Sequence, residues 1–191
     1  LARSTPSGSV GSPLDLRHYP FVACQVDMMY AYRPMVDRTP DFEGSTPEKP
    51  RWFPLAIRPD RSHRQETVRG LGVVPYLGPP WVRDHYRETW IEYFLVPGAF
   101  TRFRARVGVN PLPPHSVGAA VFRVLANGRE LFRSREMRPG TPAQSVDVPL
   151  AGTVWLRLAM HYSKNPLRRD FDRVPALGWT LHGVWAEPRL E

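Results

Sequence analysis

The chain has a single cysteine, Cys24, among its 191 residues, so no disulfide can close within it. That excludes the small secreted scaffolds in which cross-links stand in for a core. Lysine is almost as scarce. Only Lys49 and Lys164 stand among 26 basic residues, and arginine carries the formal net charge of +8. No apolar run approaches the roughly 20 residues that a bilayer-crossing helix needs, so no membrane span is expected. The six histidines (18, 63, 85, 115, 161 and 182) are scattered without metal-ligand spacing. Gly-x-Ser-x-Gly, phosphate-loop, dinucleotide and haem-attachment motifs are all missing. These absences predict a protein that is not an enzyme and uses no cofactor or metal. Convincing helical periodicity is missing as well.

What is present in quantity is proline, 22 residues, within a composition 42% hydrophobic and 12% aromatic. Proline removes a backbone donor, so this density favours short strands and long ordered loops over helices. Residues 1–18, rich in serine and glycine (Ser4, Ser7, Gly8, Ser9, Gly11, Ser12), read as a flexible lead-in. Residues 19–191 read as one domain. Its first strand is expected within Tyr19–Tyr32, with Pro20 near the start. Prolines at 34, 40, 47, 50, 54 and 59 make 33–59 a Pro-rich insertion in which no regular ladder is expected. Phe53–Arg58 and Val68–Val74 read as strands, residues 76–89 as a loop rich in rings, and Thr89–Val96 as a strand closed by Pro97-Gly98.

The clearest alternation follows. Phe103, Ala105, Val107 and Val109 alternate with Arg102, Arg104, Arg106 and Gly108, one apolar face and one cationic face of a half-buried strand. Asn127-Gly128 then supplies two residues that tolerate the positive φ of a type I′ turn. Taking them as a two-residue loop pairs Ala126 with Arg129 and Val124 with Leu131, and keeps Phe122, Val124 and Leu131 on one face. Val146, Val148 and Leu150 alternate after Pro139-Gly140, Val154 to Met160 alternate again, and Leu177–Trp185 closes the chain with Trp179 and Trp185 on the same side. Short strands with frequent turns predict an all-β fold, a jelly-roll-like antiparallel β-sandwich with long Pro-rich loops.

Four pieces in order carry a resemblance. They are Phe103-Arg104-Ala105-Arg106-Val107-Gly108-Val109-Asn110, the hairpin Val121–Phe132, Ser134–Pro139, and Trp185-Ala186-Glu187-Pro188-Arg189-Leu190. Together they resemble the NPCBM (novel putative carbohydrate-binding module) family, and Pro54–Arg58 with Gly70-Leu71-Gly72 extends the similarity upstream. The resemblance implies a β-sandwich appended to glycoside hydrolases and other exported proteins, hence an extracellular or periplasmic location, that binds sugars and often calcium. The chain departs from the pattern in three places. Val73-Val74 stand where a polar residue and histidine are common, Asn110-Pro111-Leu112 replace an acidic pair, and the loop before the last tryptophan carries only Asp170 and Asp172 against Arg168, Arg169 and Arg173. Calcium takes six to eight oxygens, several of them charged, so no calcium site is expected.

Sugar recognition needs flat rings with a few polar groups beside them. Tyr76, Trp81, His85 and Tyr86 have that composition, and Trp179 with His182 forms a second cluster; the competing reading is that these rings pack loops onto the sandwich or fill an interface. Arg102, Arg104 and Arg106, joined by Arg123 and Arg157, form a candidate anion-binding row, weighed against a solvated face neutralised by Glu92 and other acids. No nucleic-acid recognition element accompanies them, so no nucleic-acid partner is expected. Trp185 is expected in the core and Cys24 as an inert buried thiol. The sequence leaves two functions open: a non-catalytic glycan-binding module of an exported protein, or a protein-interaction subunit of a larger complex on a scaffold that has lost its sugar site.

Overall fold

The structure is a computed structural model and describes residues 13–25, 35–46, 49–62, 64–74, 88–113, 118–164 and 181–191. Its strands, in chain order, are β1 (Leu14–Asp15), β2 (Ala23–Gln25), β3 (Met35–Val36), β4 (Arg38–Thr46), β5 (Lys49–Pro54), β6 (Ala56–Ile57), β7 (Glu66–Thr67) and β8 (Gly70–Val73). Then come β9 (Glu88–Phe94), β10 (Arg102–Val109), β11 (Ala119–Ala126), β12 (Arg129–Arg133), β13 (Gln144–Pro149), β14 (Trp155–Lys164) and β15 (Gly183–Leu190).

Two antiparallel sheets face each other. One has the order β13-β10-β15-β8-β3, with β1 also on β15, and the other has the order β12-β11-β14-β9-β2. The alternation read in β10 is the reason they close. Phe103, Val107 and Val109 are buried with Val146 and Val148 of β13, while the arginines between them face out. From the other sheet Ile91, Tyr93, Phe122, Val124, Leu156, Leu158 and Met160 fill the same interior. Trp185 is fully buried between the layers, its ring edge-on to Phe122 at 5.5 Å and tilted against Phe103 at 6.3 Å. The Tyr93 phenol lies in the same interior, and burial pushes its pKa up. A core of this kind is the main stabilising term of the fold.

The six-stranded sheet is covered on its outer face too. Leu55, Ile57 and Val68 pack onto Val184 and Ala186 of β15, which is why four successive residues of that strand, Gly183 to Ala186, are buried. Gly108 makes room for this cover: a Cβ there would lie 3.0 Å from Ile57 Cγ2. The β-sandwich expected from the sequence is therefore the fold observed.

Several boundaries are corrected. The lead-in drawn to residue 18 stops short of it: Leu14 and Asp15 pair with Leu190 and Arg189, and Leu16 is buried in the core. Arg17 fastens this segment by donating to Asp15 and to Asp37, at 2.8 and 2.7 Å. Two ladder residues are too few to show as alternation. The Pro-rich stretch 33–59 does hold a ladder, β4 against β5, with Arg38 opposite Pro54 and Pro40 opposite Trp52. Both prolines fall at positions of the same parity, so the pairs without mutual hydrogen bonds take both, their missing N–H groups directed away from the partner strand. Within the stretch 19–32, where the first strand is expected, the described residues hold β2, Ala23–Gln25, which follows β1 in the chain; residues 26–32 lie outside the described residues. Glu88, assigned to the ring-rich loop, begins β9, one residue ahead of the strand expected from Thr89. In the hairpin Asn127 and Gly128 have the expected φ of 49° and 80° and Ala126 pairs with Arg129, but Val124 faces Phe132 rather than Leu131 across a bulge. The extra residue lets Leu131 and Phe132 both pack partly against the core.

Candidate functional site

The ends of the strands decide where long connections emerge. Gly183 sits beside Val73 and Val109, and Met35 beside Gly72. In the facing sheet Glu88 pairs with His161, Ala119 with Lys164 and Gln25 with Trp90. All these residues lie at one end of the sandwich. Segments 26–34, 75–87, 114–117 and 165–180 therefore all leave from and return to that end. Five of the candidate ring residues, Tyr76, Trp81, His85, Tyr86 and Trp179, belong to these segments and lie outside the described residues, as do Asp170 and Asp172.

The sixth candidate, His182, is described, and it is not on the surface. It is only 3% exposed, at the entry to β15, with Nδ1 2.5 Å from Thr39 Oγ1 at the start of β4. Burial pushes its pKa down to about 3, so the ring is neutral at physiological pH. Its carbonyl accepts from the Asn110 amide at 2.8 Å. Asn110 is itself fully buried. Its Nδ2 donates to Pro54 O at 2.9 Å and its Oδ1 accepts from Leu112 N at 3.1 Å. A neutral, hydrogen-bonded polar floor thus closes this end of the described sandwich. Thr39 gives no sequence signal of this role. Asn110 gives one: it takes the place of the acidic pair after the Val-Gly-Val strand.

The arginine row is neutralised. Arg102 bonds Asp147 at 2.8 Å, Arg104 reaches Asp147 and Glu191 at 3.3 and 3.2 Å, and Arg106 holds Glu66 and Glu187 at 2.9 and 3.2 Å. Arg106 keeps the Glu66 carboxyl below its usual range, and a hydrogen bond from Arg102 does the same for Asp147. Arg123 and Arg157 do not extend this row. They lie on the outer face of the other sheet, with Glu88, Glu130 and Glu92 as partners. The acid expected among the row's neighbours, Glu92, belongs to that second face.

That second face also carries an exposed aromatic pair, Phe94 (46% exposed) edge-on to Trp155 (42% exposed) at 5.3 Å. Val96, two residues along the chain from Phe94, is exposed too. Cys24 is half-buried, and burial raises its thiol pKa, which lowers its thiolate fraction. Among the described residues no group of three His, Cys, Asp or Glu side chains is placed to hold a metal ion, and no helix is long and apolar enough to cross a membrane.

No curated protein matches the chain in sequence. Solved structures do match it in fold. The CBM51 module of a Clostridium perfringens GH95 protein, in complex with methyl-galactose, superposes with a TM-score of 0.63 at 17% identity, over 94% of this chain and 100% of that one. A Clostridium perfringens ZmpB structure with CBM51-2 in complex with GlcNAc, together with INT domains, gives 0.64 at 16% identity, over 95% of this chain and 32% of that one. The tandem CBM51 modules of a Streptococcus pneumoniae family 98 glycoside hydrolase give 0.61 at 16% identity, over 100% of this chain and 52% of that one. The chain therefore spans about a third to a half of the larger structures it resembles. At these identities the likeness establishes the β-sandwich. The sequence of residues 88–191, more than half of the chain, matches the NPCBM/NEW2 domain model, and the chain belongs to the NPCBM/NEW2 domain family.

Proposed function

We propose that this chain is a non-catalytic glycan-binding module of an exported protein, with its sugar site at the loop end of the sandwich. The observation that carries the reading is positional. The described residues that flank each segment bearing a candidate stacking ring lie at that one end, the end that His182, Thr39 and Asn110 close. A sugar site needs rings to cover C–H faces and a fixed polar frame beside them. The ring composition of residues 76–86 and the rigidity of the floor supply both. Similar modules bound to methyl-galactose and GlcNAc indicate the ligand class to try first, galactose- and N-acetylglucosamine-type sugars. His182 acts from beneath, holding the entry to β15 in place.

Calorimetry with methyl-galactose and GlcNAc at millimolar concentration tests this reading. Binding is expected for at least one of them, and Trp81→Ala should abolish it while leaving the melting temperature unchanged. Absence of binding across a panel of neutral and acidic glycans would overturn the reading.

A second reading has its own support. The Phe94–Trp155 pair with Val96 forms an apolar patch on an outer sheet face, which suits a protein partner. A chain that binds no glycan and copurifies with a partner released by Trp155→Ser would be the interaction subunit instead.

A further inference from the structure

We infer that Asn127-Gly128 is a self-modifying site, at which the Gly128 amide nitrogen attacks the Asn127 side chain whenever the turn end opens. The folded hairpin is what holds the reaction back. The chemistry needs these two residues and water. The Gly128 nitrogen bonds to Asn127 Cγ, the Cγ–Nδ2 bond breaks, and Nδ2 leaves as ammonia with the Gly128 amide hydrogen. The product is a five-membered cyclic imide. Water then opens the ring at either carbonyl, leaving aspartate or its isopeptide, in which the main chain runs through the side-chain carbonyl. No electrons change hands. Glycine in the second position hinders the closure least, because no Cβ shields the attacking nitrogen. The other two asparagines, Asn110 and Asn165, each precede a proline, whose nitrogen carries no hydrogen to lose.

Position, not burial, supplies the protection. Asn127 and Gly128 are both exposed, and a Cβ on Gly128 would meet open space, so water is at hand. The side chain, however, is held at both of its polar atoms. Oδ1 accepts the Val154 and Trp155 amides at 2.9 and 3.0 Å, and Nδ2 donates to Gly152 O at 3.0 Å. These partners all belong to the segment that leads into β14, so the carboxamide is tied across to that segment. The main chain is tied to it as well, since the Asn127 amide donates to Trp155 O at 2.8 Å. The φ values of 49° and 80° hold the pair in its turn, and the ring closes only when Asn127 ψ rotates far from the value a type I′ turn imposes. Two amides on Oδ1 would stabilise the oxyanion formed during attack, but they give no help while the nucleophile cannot reach Cγ. Once converted, the side chain has no Nδ2 to offer Gly152 O and sets a carboxylate oxygen against that carbonyl instead. The tie is not remade, and a brief opening of the turn end leaves a permanent mark.

Peptide mapping by mass spectrometry follows the conversion in the full chain at mildly alkaline pH, folded and in guanidinium chloride. The folded protein should convert at Asn127 roughly tenfold to a hundredfold more slowly than the unfolded chain, because only the opened fraction reacts. Gly152→Ala tests the lock without touching the reacting pair. Gly152 has a φ of 71°, which alanine holds only under strain. The variant should therefore convert several-fold faster when folded and at the parent's rate when unfolded. Gly98→Ala is the control, placing like strain at a φ of 76° in a turn that makes none of these ties; it should leave the rate unchanged. Equal rates for folded and unfolded parent, or equal acceleration by the two alanine variants, would overturn the proposal. Asn127→Asp carries the product's side chain and should unfold at a lower urea midpoint than the parent. An unchanged midpoint would refute the permanent mark.

Discussion

Each end of this sandwich is organised by an asparagine, and the two work in opposite ways. At the turn end Asn127 sits in the hairpin itself. Its Oδ1 accepts the amides of Val154 and Trp155 at 2.9 and 3.0 Å, and its Nδ2 donates to Gly152 O at 3.0 Å. The residue is exposed, and the turns it ties together are short. At the loop end Asn110 is fully buried and ties its strand to Pro54, 56 residues away in the chain. The turn end is specified by local chemistry that water can partly replace. The loop end is specified by long-range hydrogen bonds that nothing replaces once they are broken. A floor of the second kind is held by the whole fold rather than by neighbouring residues in the chain.

Asn110→Ala is the severest test of that contrast. It leaves Pro54 O and the Leu112 amide without their partners in a buried site, and a buried polar group left unmade costs about 1–3 kcal/mol. We expect a loss of roughly 3 kcal/mol in unfolding free energy by urea titration, together with weaker glycan binding. A variant as stable as the parent would show that the floor is not what holds this end.

His182 gives the floor a signature that the turn end lacks. Its pKa falls from 6.5 to about 3 on folding because burial disfavours the charged ring. Between those values the unfolded chain binds the additional proton, so stability rises with pH there. The contribution is complete above about pH 6.5 and is lost progressively as the pH falls toward 3. His182→Gln removes the titration. The parent should lose about 2 kcal/mol relative to the variant between pH 6.5 and about pH 5, read from urea midpoints at each pH. Exposed carboxylates whose pKa values arginines lower, such as Glu130, lose their contribution only at lower pH and are common to both proteins. Parallel curves for the two proteins would mean that His182 titrates normally.

Asn127→Ala should cost less, about 1–2 kcal/mol, because solvent can satisfy the freed amides while the positive φ of 49° becomes harder to hold. Glycan affinity should be unchanged, since the hairpin is at the opposite end. A change in affinity would break the separation between the two ends.

The same division explains what was legible in the sequence. Alternation along Phe103–Val109 and the Asn127-Gly128 turn are local patterns, and both strand and turn are where they indicate. The ladder through Pro40 and Pro54 was hidden because composition records only that proline lacks a donor; which face of a strand that donor would occupy depends on register. The two-residue strand Leu14–Asp15 is too short to show periodicity. For the proposed site, ring composition makes residues 76–86 candidates, yet nothing local joins Thr39 to His182, which are 143 residues apart. A buried polar pair is written in two distant places and becomes visible only when the fold brings them together. The bulge at Val124 has the same character, since a one-residue slip arises from packing that the hairpin alone does not contain.

The mildest expected effect is at the exposed aromatic pair of the turn end. Phe94 and Trp155 face each other across β9 and β14, and each keeps more than two fifths of its surface in contact with solvent. Trp155→Ser removes one edge-on ring contact and little burial, so stability should change by at most about 1 kcal/mol. Loop-end sugar binding should stay the same, because no residue of the floor touches this face. The informative readout is association. If the patch is an incidental consequence of a five-stranded sheet that needs only one buried face, sedimentation velocity will give the same mass for parent and variant at every concentration. If it is a protein-docking face, the parent will bind a partner or itself and the serine variant will not. Because the sugar site is proposed at the loop end and this face lies at the turn end, the two results are independent, and losing one leaves the other intact.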